Sequence, residues 1–322
     1  MNVSRCIPFL LFVLAGCAAH IPPPLPSAFH PPLGFALIGD VPYSEMEAYE
    51  LDAMIGQMNR EELAFVIHVG DITSGTGPCS DEWLEARKRQ FDQSRHPFVI
   101  VPGDNEWVDC HRSGRDPMER LRKFRELFES GDESLGERKL RLERQSERDA
   151  ARFPEYREHL RWIAGEVLFV GLNVRGSNNN LGRTPAMDAE HRARMAAVSA
   201  WLQDSLRLAR ERRLAGMLIF AQGDPDFERK TRRKRDGFAE FRDALRDLAI
   251  DFGKPVLFVN GDSHFYRLDK PLNDPRTGLP LENFTRVVVF GSPQVRWIRA
   301  GIDPSSPGLF ELSPVPQTPP GY

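Results

Sequence analysis

Five aspartates in this chain directly follow glycines that close an apolar run or lie just beyond one: Gly39-Asp40, Gly70-Asp71, Gly103-Asp104, Gly223-Asp224 and Gly261-Asp262. Glycine lets the backbone turn sharply there or approach a ligand closely. Taken singly, each aspartate is a turn residue or a helix cap, the usual role of Asp at such a place. Together they carry more. In α/β sheets the carboxyl ends of the strands line the ligand crevice. Carboxylates crowded on that edge are tolerable only if cations neutralise them or some keep their protons. With His264 just after Asp262, the set reads as an oxygen-rich divalent metal site.

The elements that must position these acids alternate along the chain. Apolar, β-branched-rich runs at 34–39, 63–69, 97–101, 166–173, 214–221, 255–260 and 286–290 predict strands. Ser44-Glu45-Met46-Glu47 is a capping box for a helix with Ala48, Leu51, Ile55 and Met58 on its apolar face. Asp116-Pro117 opens a second, with Leu121, Phe124 and Phe128 on one side. Val198, Trp201, Leu202 and Ser205 mark a third helix, and Phe238, Phe241, Leu245 and Leu248 a fourth. Such alternation predicts an α/β fold with parallel strands. The run from Arg286 to Ile298, with a turn at Ser292-Pro293, predicts antiparallel strands instead. Stretch 137–152 alternates acidic and basic residues and predicts an exposed helix in a charged insertion spanning about 112–162.

With 322 residues the chain can bury a full core, and 41% apolar with 28% charged residues excludes a disordered chain or a multi-span membrane protein. A net charge of -3 argues against a nucleic-acid binder that works through bulk positive charge. Gly-x-Gly-x-x-Gly, Walker and Gly-x-Ser-x-Gly motifs are absent, so dinucleotide and serine-hydrolase chemistry lack their basis.

Residues 1–16 read as a signal segment: Arg5, then the short apolar run Ile7–Leu14, then small residues. Leu14-Ala15-Gly16-Cys17 resembles the lipobox of bacterial lipoproteins, which implies cleavage before Cys17 and acylation of its thiol. No Asp follows Cys17, so the resemblance implies the outer membrane, with the protein facing the periplasm. Residues 17–32 then form a lipidated, proline-rich tether, residues 33–312 the main domain, and 313–322 a tail. In that oxidising compartment Cys79 and Cys110, both just past predicted neighbouring strands, are expected to pair as a disulfide.

The order of the acidic motifs over most of residues 34–300 resembles the calcineurin-like metallophosphoesterases. The corresponding stretches are Asp40-Val41-Pro42, Gly70-Asp71, Gly103-Asp104-Asn105-Glu106, Ala221-Gln222-Gly223 and Gly261-Asp262-Ser263-His264. Gly39-Asp40-Val41-Pro42-Tyr43, Pro102 to Trp107 and Ser177-Asn178-Asn179-Asn180 look like a bacterial branch of that family. The resemblance implies a two-sheet αββα sandwich with mixed sheets and two divalent metals at the strand ends. It implies Asp71 as the bridging ligand, Asp40 and His264 at one metal, and Asp104, Gln222 and Asp262 at the other. Asp224 is an alternative ligand in the Gln222 loop. Pro42, Asp104, Gln222 and Asp262 depart from the family's ligand types, and Asn105 stands where its leaving-group histidine belongs. The exchanges run from imidazole toward carboxylate and amide, which suits Mn²⁺ or Mg²⁺, then Ca²⁺, better than Zn²⁺ or iron.

The implied activity is hydrolysis of a phosphomonoester, diester or pyrophosphate, on a small-molecule or envelope substrate. Asn105 and Glu106 are the candidate catalytic residues, with His111 and Tyr43 as further sources of a proton. Tyr43, Asn178, Asn179 and Asn180 are candidate substrate contacts, with a plain turn as the other reading of the asparagines. His68 reads as a buried structural histidine. The basic run at 229–235 could steer anionic substrates, touch anionic lipid or simply be a solvated loop. The rival to catalysis is a binding protein of the envelope on the same scaffold.

Overall fold

All seven apolar runs form strands in the computed structural model, which describes residues 33–229 and 235–316. The signal segment, Cys17, the tether and most of the basic run lie outside the described residues. In chain order the elements begin with β1 (Leu33–Ile38), α1 (Glu45–Met58), β2 (Val66–His68), α2 (Asp81–Phe91), β3 (Phe98–Ile100) and α3 (Pro117–Phe128). There follow β4 (Glu143–Arg144), α4 (Gln145–Arg148), β5 (Leu160–Ala164), β6 (Val167–Gly171), the short turn α5 (Gly176–Asn179) and α6 (Pro185–Glu211). The chain continues through β7 (Gly216–Phe220), α7 (Ala239–Phe252), β8 (Val256–Asn260), β9 (Arg267–Asp269), β10 (Phe284–Val288), β11 (Ile298–Ile302) and β12 (Phe310–Pro314).

Two mixed sheets result, with strand orders β12-β11-β1-β2-β3 and β4-β5-β6-β7-β8-β10-β9. Each holds a block of parallel strands: β1, β2 and β3 in one sheet, and β6, β7, β8 and β10 in the other. Side chains alternate across a strand, so each central strand serves two apolar layers. Phe35, Leu37, Ile67 and Val99 point between the sheets, against Phe169, Leu218, Leu257 and Val287. Ala36, Ile38 and Ile100 point outward onto Leu51 and Ile55 of α1, Leu84 of α2 and Phe124 of α3. On the far side Val170, Ile219 and Phe258 meet Trp201 of α6 and Leu245 of α7. Helices therefore cover both outer faces of a two-sheet sandwich, the αββα arrangement.

The start of α1 also anchors the site. Ser44 Oγ accepts from Glu47 N as the helix cap. The Glu47 carboxylate in turn accepts from Tyr43 N at 2.7 Å and from Ser292 Oγ at 2.7 Å. The loops after β1 and β10 are thus tied together.

Two expectations need correction. The 137–152 stretch holds one helical turn, α4, and not a long exposed helix. Gly136 at φ 85° turns the chain just upstream, and the Arg144 guanidinium is drawn into an ion pair with buried Glu129. The 286–298 run does form antiparallel pairings, β10 with β9 and β11 with β1 and β12, but its two strands do not pair with each other. β10 lies parallel to β8 in the larger sheet, whereas β11 crosses to pair antiparallel with β1 in the smaller. Val287 and Val288 are buried on opposite faces, the mark of an interior strand, which β10 is, between parallel β8 and antiparallel β9.

Candidate metal centre

The parallel strands of both sheets deliver their carboxyl ends to one edge. Asp40 follows β1, Asp71 follows β2, Asp104 follows β3, Gln222 follows β7 and Asp262 follows β8. All five are buried or nearly so. Asp40, Asp71 and Asp262 take left-handed backbone angles, with φ of 52°, 60° and 69°. Asp tolerates that region better than most residues.

Hydrogen bonds knit the acids together. Asp262 N donates to Asp40 Oδ1 and Oδ2 at 3.0 and 3.1 Å. Asn105 N donates to Asp71 Oδ1 at 3.0 Å. Gln222 Nε2 lies 2.9 Å from Asp71 Oδ2 and 3.3 Å from Asp40 Oδ1, bridging the two aspartates. Its Oε1 accepts from Gly176 N at 2.6 Å. Tyr43 OH lies 3.0 Å from Asp71 Oδ2 and 3.1 Å from His264 Nε2. His264 Nδ1 is 2.7 Å from the Ser292 carbonyl, so Nδ1 carries the proton and Nε2 keeps a lone pair in the neutral ring. The single Tyr43 proton serves one acceptor at a time, so an unused lone pair of Asp71 or His264 faces the crevice.

Burial dominates the electrostatics. It holds Asp40 and Asp71 well above the usual carboxylate range, and neighbouring acids add to it: Asp262 and Asp104 for Asp40, Asp104 and Glu106 for Asp71. Burial, then Asp262 and Asp109, pushes Asp104 up to about 7. Burial, assisted by Asp104, pushes Glu106 up to about 7. Burial, assisted by Asp224, pushes Asp262 up to about 6. Five acids thus share more negative charge than their surroundings offset. The buried Arg175 guanidinium stacks 3.8 Å from the Trp107 ring centroid and pairs with Glu190 at 3.2 Å, outside the cluster.

These residues bear a direct test for a divalent ion. Asp104 Oδ1 is buried with no hydrogen-bond partner. A Cβ on Gly176 would stand 2.8 Å from that oxygen and closer still to Asp262 Oδ1, so only glycine lets the backbone come this near to both acids. That uncompensated oxygen, the further lone pairs of the other carboxylates and one imidazole nitrogen are the donors that Mn²⁺ or Mg²⁺ takes. Asp40, Asp71, Asp104, Asp262 and His264 fit such an ion by their chemistry. Among the described residues, no three His, Cys, Asp or Glu side chains already close on one point as a preformed metal site does. Gln222 fits least. Its oxygen is spent on Gly176, and it turns NH₂ to the acids, where it acts as a hydrogen-bond donor.

The other candidates divide. Glu106 faces inward, with Oε1 accepting from Gly103 N at 2.5 Å and Asp71 N at 3.3 Å, so it fixes the loop that carries Asp104. The fifth Gly-Asp aspartate, Asp224, turns Oδ1 to Asp226 N and lies 3.5 Å from Arg286. Asn178 Oδ1 accepts from Gly237 N. Asn179 holds Gly237 O and Arg194, and Asn180 Nδ2 donates to Glu190, so these amides brace the scaffold. Their segment, with Ser177, forms a left-handed turn at φ 49–67°. His68 bonds Val41 O at 2.9 Å and is lowered to about 4 by burial. A disulfide joins Cys79 and Cys110 across a Cα–Cα distance of 5.7 Å. Sequence reasoning missed Asp109, Arg112 and Arg183, which meet Ser177 beside Asp104 only through loop packing.

No family model matches the chain, and no curated protein matches it by sequence. Solved structures do match by shape. A dimetal phosphatase from Danio rerio aligns over 89% of this chain and 99% of its own, with TM-score 0.50 and 14% identity. The structure of PhoD aligns over 90% of this chain and 70% of its own, with TM-score 0.54 and 13% identity. The chain has the metallophosphoesterase fold. At such identity the likeness establishes the metallophosphoesterase architecture and leaves its chemistry to the residues at the strand ends.

Proposed function

We propose that this protein is a divalent-metal-dependent phosphoesterase, a divergent member of the calcineurin-like metallophosphoesterases anchored in the bacterial envelope through Cys17. One observation carries the reading: Asp40, Asp71, Asp104 and Asp262 converge with His264 at the strand ends of a metallophosphoesterase fold, with Asp104 Oδ1 buried and unpartnered. Asp40, Asp71 and His264 would hold one divalent ion, and Asp71, Asp104 and Asp262 a second. When bound, the ions would supply charge neutralisation for the phosphoryl oxygens and a more acidic water. The chain itself does the rest. Glu106 holds the Asp71 and Asp104 loops together, and the Ser292 carbonyl fixes the His264 ring so that Nε2 faces the acids. Tyr43 orients Asp71 and His264 from the open side.

The test uses bis(4-nitrophenyl) phosphate and 4-nitrophenyl phosphate, whose leaving groups need no proton, with Mn²⁺, Mg²⁺, Ca²⁺ or Zn²⁺. Turnover that requires metal and vanishes in Asp71→Asn supports the proposal. A folded protein that turns over neither ester with any metal refutes it. The second reading, a non-catalytic binding protein, draws on Pro42 and on the Gln222 amide that bridges Asp40 and Asp71. Ligand binding that survives loss of Asp71 would favour it.

A further inference from the structure

Beside the acid cluster stands a group of cations that the metal chemistry does not use. Ser177 links the two: it directly follows Gly176, whose backbone packs against Asp104 and Asp262, and its Oγ donates to Asp109 Oδ1 at 3.0 Å. Buried Asp109 also receives Arg183 Nη2 at 3.3 Å and Arg112 Nη1 at 2.8 Å. Arg112 Nη1 donates further to Gly75 O at 3.1 Å, and Arg183 Nη1 to Val108 O at 3.0 Å. Two guanidiniums against one carboxylate leave a surplus positive charge. Both keep a solvent face, with side chains 45% and 28% exposed. Arg112 also adjoins Asn105: a Cβ on Gly75 would stand 2.7 Å from Arg112 Nη1 and 3.0 Å from Asn105 Oδ1.

We propose that Arg112 and Arg183 receive an anionic leaving group, and that the substrates are phosphoanhydrides, cleaved so that a phosphate departs. This rests on the phosphoesterase reading and names its substrate class. An alkoxide leaves phosphorus only with a proton, and Asn105 has none to give. Glu106 is buried, with Oε1 committed to two backbone N–H groups and Oε2 shut off from solvent, and His111 spends its Nδ1 proton on the Val108 carbonyl. A guanidinium is no acid at physiological pH, but it binds paired phosphate oxygens and stabilises charge arriving on them. That matches a leaving phosphate, which departs as an anion. In the step, water oxygen bonds to the phosphorus held over the acids. The bond from that phosphorus to the bridging oxygen breaks. The bridging oxygen leaves with the electron pair as part of the second phosphate, and the surplus water proton passes to product or solvent.

The experiment compares kcat/KM with Mn²⁺ for ADP, 4-nitrophenyl phosphate and glycerol 3-phosphate, and measures binding of methylenediphosphonate by calorimetry. ADP is expected to exceed glycerol 3-phosphate by at least about a hundredfold. Arg112→Ala and Arg183→Ala are each expected to cut the ADP-to-aryl ratio by about tenfold or more and to weaken diphosphonate binding similarly. Arg112→Lys, which keeps the charge but not the fork, should fall between and serves if the alanine variant fails to fold. Equal turnover of ADP and glycerol 3-phosphate overturns the inference. So does diphosphonate binding unchanged in variants that merely melt earlier, the mark of guanidiniums that only brace Asp109. If no ester or anhydride is hydrolysed, the phosphoesterase reading fails, and diphosphonate binding alone decides whether this anion subsite exists.

Discussion

The backbone N–H of Gly176 donates to Gln222 Oε1 at 2.6 Å, and that bond decides which end of the amide faces the acids. With its oxygen occupied, Gln222 offers Nε2–H to Asp71 and Asp40, where an oxygen or imidazole ligand would face a metal ion. The two proposed ions should therefore bind unequally. Replacing Gln222 with His is expected to tighten the weaker Mn²⁺ by about tenfold. Equilibrium dialysis with metal analysis measures this, and unaltered affinities would show that the amide does not limit the site.

Removing one buried carboxylate should separate stability from metal binding. Asp71→Asn relieves repulsion among Asp71, Asp104, Glu106 and Asp40. The metal-free variant is expected to melt at or above the wild-type temperature, while its stabilisation by Mn²⁺ disappears. A differential scan with chelator and with Mn²⁺ reads both. A variant that melts lower without metal, yet gains as much from Mn²⁺ as the wild type, would contradict the assignment.

The same repulsion sets a pH dependence. Asp104 and Glu106 are raised to about 7 and Asp262 to about 6, with burial the main cause. The unfolded chain loses these protons first, near the ordinary carboxylate value, so the metal-free stability contributed by these three acids falls as pH climbs from about 4 to about 7. Buried His68 and His159, each lowered to about 4, act in the opposite sense: stability falls as pH drops below about 6.5. They do so with or without metal. The Mn²⁺-induced rise in Tm is therefore expected to be small near pH 5 and greatest above about pH 7. A rise independent of pH would mean that the acids do not bind the ion.

The disulfide bears on both stability and the arginine subsite. Cys110 lies in the 3₁₀ segment Asp109–Ser113, which carries Arg112, and it is tied to Cys79 across a separation of 31 residues. Closing such a loop contributes about 4 kcal/mol in the chain-entropy model. Cys79→Ser with Cys110→Ser is expected to lower denaturant stability by an amount of that order. Urea titration checks it, and an unchanged midpoint would show that the segment holds its place without the bond.

The sheet was legible because parallel strands buried on both faces are spelled as nearly unbroken apolar runs, as in Val66-Ile67-His68-Val69 and Val256-Leu257-Phe258-Val259. The Gly-Asp repeats were legible because the strand ends require tight turns beside a crevice. Four of those aspartates converge, but Asp224 turns toward Asp226 and Arg286, a difference of side-chain direction that spacing does not encode. The 137–152 helix failed for a related reason: alternating charge marks an exposed helix only where no charge is buried, and Arg144 is drawn in by Glu129. In the group of Ser177, Asp109, Arg112 and Arg183, only Ser177 lay in a recognised stretch, and no spacing tied it to the other three. The group arises only where the loops after β2, β3 and β6 meet.

The central claim is that Asp40, Asp71, Asp104, Asp262 and His264 hold divalent metal. Anomalous diffraction from crystals of the folded domain grown with Mn²⁺ tests it most directly. The account predicts manganese peaks bridged by Asp71, one toward Asp40 and His264 and one toward Asp104 and Asp262. A map with no peak at the strand ends, and the Gln222 bridge still closed between Asp40 and Asp71, would contradict it.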